Sequence, residues 1–132
     1  MSALQNSAAD DFSSLAGRRV LLVEDETLVL MNLEDIVEAL GCTIVGPAMQ
    51  ISRAMELLDG LPELDAAVLD VNLGGETIFP VAQRLAERGI PMVFTTGYGR
   101  EGLPADWHDA VVLQKPYAQE DLARCLREAI AQ

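Results

Sequence analysis

Lysine is almost missing from this chain: eight of its nine basic residues are arginines, and Lys115 stands alone. A lysine kept only for solubility would have company, so this one, immediately before Pro116, needs a reason. Histidine is equally scarce. His108 lies in a polar stretch beside Trp107 and Asp109, without the helical-bundle context of a phosphorelay histidine, and reads as a surface residue. Cys42 and Cys125 lie far apart with no C-x-x-C spacing, which excludes a zinc knuckle and favours two reduced, part-buried thiols over a disulfide. No apolar run approaches the roughly eighteen residues that cross a bilayer. The first positive charge comes only at Arg18, too late for the basic start of a secretory signal. Positive charge is short overall, with 21 acids, nine bases and a net −12. Such a chain repels phosphate backbones, which argues against nucleic acid and leaves divalent cations or basic proteins as partners. A soluble, cytoplasmic domain with no membrane or nucleic-acid partner is expected.

At 132 residues, half of them apolar, the chain has material for one core and one domain. Residues 1–17 read as a flexible polar lead-in, with a short helical turn around Asp11–Ala16 that would place Phe12 and Leu15 on one side. From Arg18 onward, strand and helix signals alternate. Val20–Val23, Ala66–Leu69 and Met92–Thr95 are continuous apolar strands, as a sheet covered on both faces requires. Thr43–Val45, closed by Gly46-Pro47, and Ala110–Gln114 complete five. Between them, Thr27–Leu40 carries Leu28, Met31, Val37 and Leu40 near helical spacing, and Ser52–Leu58 forms a second helix. Thr77 is placed to cap a third running to Arg88, with Pro80 in its first turn. Gln119–Ala131 closes the chain with Leu122, Leu126 and Ile130 inward. Alternation of this kind implies an α/β fold, a flavodoxin-like, doubly wound five-stranded parallel sheet of order 2-1-3-4-5. Gly97, Gly99, Gly102 and Pro104 leave no apolar stripe where the fourth helix belongs, so that helix is expected to be short or irregular.

In such sheets ligands bind beyond the carboxyl ends of the strands, where strand order reverses. Here the first strand ends in Glu24-Asp25, the third in Asp70, the fourth in Thr96 and the fifth in Lys115. Two carboxylates about 5 Å apart repel by roughly 3 kcal/mol at an effective dielectric near 20, so three need protons or a cation. An all-oxygen set suits Mg²⁺. Asp70 is then positioned as a carboxylate nucleophile toward a phosphoryl group, with Lys115 and the Thr96 hydroxyl on its oxygens.

These residues resemble the receiver domains of bacterial two-component response regulators. The matching pieces are Val20-Leu21-Leu22-Val23-Glu24-Asp25-Glu26, Val68-Leu69-Asp70, Pro91 to Gly97, and Lys115-Pro116-Tyr117. The resemblance covers about residues 18–130 and implies a receiver domain over 18–132. It implies that Asp70 is the phosphoacceptor, that Glu24, Asp25 and Asp70 hold Mg²⁺ with the Asn72 backbone carbonyl, and that Thr96 and Lys115 grip the phosphoryl group. In the family the Lys115–Pro116 bond is often cis. Such a domain is no enzyme beyond its own phosphorylation and dephosphorylation.

Departures narrow the group. Asn72-Leu73-Gly74-Gly75-Glu76 replaces the usual Met-Pro…Asp-Gly stretch, and the fourth strand ends Phe94-Thr95-Thr96-Gly97-Tyr98-Gly99. This resembles the "FAT GUY" group of single-domain receivers from alphaproteobacteria, which implies a histidine kinase partner, here of the HWE type, and stress signalling. The aromatic switch position, three before the lysine, is Val112, which leaves Tyr98 as the switch candidate. The chain has its own Met1 and lead-in and is expected to stand alone, so output falls to a downstream protein or the domain serves as a phosphate sink. Gly97–Gly102 also fits G-x-G-x-x-G, but Leu103-Pro104 disfavours the helix that motif must open. Asn72 stands where aspartyl-phosphate hydrolases carry a second Asp. An interaction-only module of the same fold is the weaker alternative.

Overall fold

The computed structural model describes residues 14–132. The elements in chain order are β1 (Arg19–Val23), α1 (Thr27–Ala39), β2 (Thr43–Ala48), α2 (Ile51–Asp59), β3 (Ala66–Asp70), β4 (Asn72–Leu73), β5 (Glu76–Thr77), α3 (Phe79–Glu87), β6 (Met92–Thr96), β7 (Val111–Gln114) and α4 (Gln119–Ala131). The main sheet is parallel, ordered β2-β1-β3-β6-β7, and β4–β5 is a separate antiparallel hairpin. Counting the main-sheet strands alone, this is the expected 2-1-3-4-5.

Period-two alternation sorts the strand residues into two cores. Val20, Leu22, Val68, Val93, Val111 and Leu113 face α1 and α4, while Leu21, Val23, Ala67, Leu69 and Phe94 face α2 and α3. Both faces being dry is why β1 and β3 read as unbroken apolar runs. No helix among the described residues is long and apolar enough to cross a membrane. Leu15 is buried in the α1/α4 core, and the Gly17 amide donates to the Gly41 carbonyl at 2.8 Å. The turn at 14–17 is thus packed onto the domain; Asp11 and Phe12 of the expected helical turn lie outside the described residues.

Three local expectations are corrected. The first concerns α1, which buries Leu30, Leu33, Ile36 and Val37, with Leu40 beyond its end, while Leu28 and Met31 are 80% and 55% exposed. Two apolar stripes compete on this helix, and docking against β1 selects the one through Leu33. Next, β2 does not close at Gly46-Pro47. It passes through them by a bulge that lets Leu21 pair with Val45 and Val23 with Ala48, a place where proline is tolerated on an edge strand. Finally, Thr77 does not cap α3. It belongs to β5, and Ile78 takes the cap position, its amide donating to the Val71 carbonyl at 3.2 Å; Pro80 does lie in the first turn. The hairpin was legible in principle: Gly74-Gly75, with φ of 55° and 89°, form the left-handed two-residue turn that joins β4 to β5.

The irregular fourth helix is observed as two single 3-10 turns, Arg100–Gly102 and Ala105–Trp107. The packing makes a clear contrast for α1. Leu33→Ala should cost about 2–5 kcal/mol and Met31→Ala no more than about 0.5 kcal/mol, measured by urea unfolding.

Candidate functional site

Glu24, Asp25, Asp70, Thr96 and Lys115 all lie at the carboxyl ends of main-sheet strands. Asp70 and Thr96 are the last residues of β3 and β6, Glu24 and Asp25 follow β1, and Lys115 follows β7. The bulge in β2 helps to set Glu24, because its amide donates to the Ala48 carbonyl just past the bulge, at 3.1 Å. Lys115 is fixed from the other side by its amide, which donates to the Thr96 carbonyl at 2.9 Å, and the following Lys115–Pro116 bond is cis.

Glu24, Asp25 and Asp70 offer carboxylate oxygens that lie within 4.8 Å of one another. Glu24 and Asp70 are 1% and 5% exposed, so their charges are nearly cut off from solvent. Lys115 bridges them, its Nζ 2.9 Å from Glu24 Oε1 and 3.3 Å from Asp70 Oδ2. Backbone amides supply the rest: Glu26 donates to Glu24 Oε2 at 3.1 Å and Asn72 to Asp70 Oδ1 at 3.3 Å. The lone lysine is therefore the counter-charge of a buried acidic cluster.

The titration directions follow from these contacts. Burial pushes the Glu24 carboxyl up; Lys115 and the Glu26 amide oppose it without cancelling it, and the charge of Asp70 adds to it. Burial alone would lower the Lys115 ammonium, but its contact with Glu24 and the charges of Asp70 and Glu24 outweigh burial and hold it up. Tyr117 is pushed up to about 12 by burial and by the same two carboxylates, so its phenol stays protonated; its hydroxyl is buried without a hydrogen-bond partner.

Three carboxylates against one ammonium leave two negative charges in excess. Glu24 Oε1 is buried and receives no well-directed hydrogen bond, only the charge of Lys115. An all-oxygen cluster with excess negative charge and a buried oxygen short of a donor fits a small hard divalent cation.

Thr96 shares a cavity of about 260 Å³ with Asp70, Asn72, Thr77, Phe79 and Tyr98. Its Oγ1 accepts the Tyr98 amide at 3.0 Å, which leaves the hydroxyl hydrogen to donate elsewhere. The Tyr98 side chain stands at the rim, 80% exposed. The structure therefore brings Glu24, Asp25, Asp70 and Lys115 into one cluster, with Thr96 and Asn72 on the adjoining cavity and Tyr98 at its rim. Sequence reasoning passed over Phe79 and Thr77 on the cavity wall and the buried Tyr117 hydroxyl. The Gly-Gly turn, which folds Thr77 and Phe79 back toward Asp70, was the available signal.

The family model for the response regulator receiver domain matches residues 20–127, and the chain belongs to that family. Receivers are signalling domains of two-component systems rather than enzymes in the ordinary sense; they take their input from a histidine kinase, act on a downstream partner by changing conformation, and bind Mg²⁺ at an acidic pocket. The single-domain SdrG from Sphingomonas melonis Fr1 is 41% identical, with a TM-score of 0.78 over 88% of this chain and 98% of that one. The transcriptional regulatory protein PdtaR of Mycobacterium tuberculosis is 30% identical over 92% of this chain and 60% of its own length. The anti-anti-sigma factor PhyR from Bartonella quintana is 25% identical, with a TM-score of 0.80 over 97% of this chain and 54% of that one. The chain thus spans little more than half of the two longer relatives.

Removing the lysine tests the charge balance. Lys115→Met should lower stability near pH 7 by about 3–5 kcal/mol, because two buried carboxylates lose their counter-ion. Asp70→Asn in the same chain should recover part of the loss, read as a shift of the urea midpoint.

Proposed function

We propose that this domain accepts a phosphoryl group on Asp70 from a kinase phosphohistidine and signals through the changed surface around β6 and β7. The observation that carries this reading is the Lys115 ammonium held between Glu24 and Asp70, with Asp25 completing the acidic cluster beside the Thr96 cavity. An Asp70 carboxylate oxygen forms the new P–O bond as the P–N bond of the donor breaks; the imidazole leaves with the bonding pair and takes up a proton. The product is an acyl phosphate. Lys115, already 3.3 Å from Asp70 Oδ2, is placed to follow a phosphoryl oxygen, and the Thr96 hydroxyl donates to another. Glu24, Asp25, Asp70 and the Asn72 carbonyl are the residues that would hold Mg²⁺, which supplies positive charge against the phosphoryl oxygens when bound. The only chemistry assigned to the domain is its own phosphorylation and the hydrolysis that reverses it.

The kinase is placed in the HWE class, the domain in the cytoplasm, and the output in a separate protein or in phosphate drawn from a relay. These assignments rest on the likeness of the Phe94–Gly99 strand end and on the single-domain relative. Residues 18–132 make up the receiver, with the turn at 14–17 packed against it.

Intact mass after acetyl phosphate treatment is the direct test. The wild type should gain one phosphoryl group only with Mg²⁺, and Asp70→Asn should gain none; a gain on Asp70→Asn, or none on the wild type with a kinase donor as well, would overturn the assignment.

Tyr98 is the proposed surface switch, because its amide is tied to the Thr96 hydroxyl while its ring stands free at the rim. Tyr98→Ala should keep the mass gain but shrink the amide chemical-shift changes that phosphorylation spreads beyond the site. Loss of the mass gain itself would remove Tyr98 from the switch role.

A further inference from the structure

The domain carries Val112 rather than an aromatic three residues before Lys115, yet three of its few aromatic rings meet directly behind the site. Phe79 and Trp107 lie 6.0 Å apart between ring centroids at an interplanar angle of 23°, which is a stacked pair. Phe94 closes the triangle, tilted against Phe79 at 6.0 Å and edge-on to Trp107 at 5.6 Å. Phe94 is fully buried on β6, two residues before Thr96, and acts as the fixed corner. Phe79 and Trp107 are only half-buried.

The two half-buried rings belong to different things. Phe79 opens α3 and lines the 260 Å³ cavity that holds Asp70 and Thr96. Trp107 ends the second of the 3-10 turns that stand in for a fourth helix. That irregular segment is braced within itself: Arg100 Nη1 donates to the carbonyls of His108 at 2.6 Å and Ala110 at 2.7 Å, and His108 Nε2 lies 3.0 Å from the Leu103 carbonyl. Its loops therefore shift as a unit more readily than one at a time. That unit meets the wall of the site at two points, Gly102 on the cavity itself and the Trp107 ring on Phe79.

We propose that Phe79 is the residue that couples the state of Asp70 to the Arg100–Trp107 segment, through its stack on Trp107. This rests on the reading of Asp70 as phosphoacceptor. Phosphorylation would raise the charge on the Asp70 side chain from one negative to nearly two and add acceptor oxygens to a cavity walled by a phenyl ring. The added charge and oxygens crowd the cavity that Phe79 lines, which disfavours its present pose. At the same time a Thr96 hydroxyl drawn to the phosphoryl group releases the Tyr98 amide, which loosens the segment where it leaves β6. Phe79 then moves against a fixed Phe94, and Trp107 moves with it. Tyr98 alters the rim; Phe79 carries the change to the segment behind it.

Trp107 is the only tryptophan, so its emission reports on this segment alone. Wild type, Phe79→Leu and Phe79→Tyr are treated with acetyl phosphate and Mg²⁺, and each sample is split between intact mass and fluorescence, with Mg²⁺ alone as baseline. The wild type should gain one phosphoryl group and change its Trp107 emission. Compared per phosphoryl group gained, the emission change of Phe79→Leu should fall roughly two- to tenfold below wild type, the weight of one aromatic pair. Phe79→Tyr, which keeps the stack, should restore the change. A wild-type mass gain with unchanged emission, or a Phe79→Leu change equal to wild type, would overturn the coupling alone. No mass gain in the wild type would overturn the phosphoacceptor reading and the coupling with it.

Discussion

The Lys115 ammonium between the Glu24 and Asp70 carboxylates is the constraint on which the site depends. Burying two carboxylates at the end of a sheet is costly, and each would be driven toward protonation without a compensating charge. One positive group in contact with both balances two buried charges that are nearly out of water. The neighbouring order follows from this contact. β7 must end where it does to deliver Lys115, and the Lys115 amide on the Thr96 carbonyl locks the end of β7 to the end of β6. A buried ion pair of this kind is poor evidence for stability. Its use is to hold reactive charge in a defined place.

Around that cluster the fold divides labour between rigid and soft parts. The central strands are dry on both faces and place Glu24, Asp70 and Thr96 on their ends, where little can move. The parts that border the site on the outside are of a different kind: a hairpin turning on two glycines, and a segment of single 3-10 turns held by side chain to carbonyl bonds. Few buried contacts secure such segments, and local rearrangement there costs less than in the sheet. A switch needs both. The charge must arrive at a fixed point, and something beside it must have a second arrangement within reach.

Much of this was legible from the residues. Continuous apolar strands announced a sheet covered on both faces, and the acids, hydroxyl and lysine at strand ends pointed to one shared edge, because parallel topology sends those ends there. The glycines and proline after Thr96 correctly excluded a regular helix there. What failed was local: Leu28 and Met31 were grouped with Val37 and Leu40 in one helical pattern, and Thr77 was placed as a helix cap. In each case two patterns fitted the same residues. A helix with apolar side chains on two sides does not say which side meets the sheet, and a threonine before an apolar run serves a cap or a strand equally well.

By itself, then, the sequence determined the class of fold and which side chains stand at the strand ends, since both follow from periodicity and from the order of the residues. Tertiary structure alone decided which oxygen faces which nitrogen, which helix face is dry, and that Phe79, Phe94 and Trp107 meet. Those are contacts between residues distant along the chain. They are settled by packing and charge balance in three dimensions, where one-dimensional pattern has no hold.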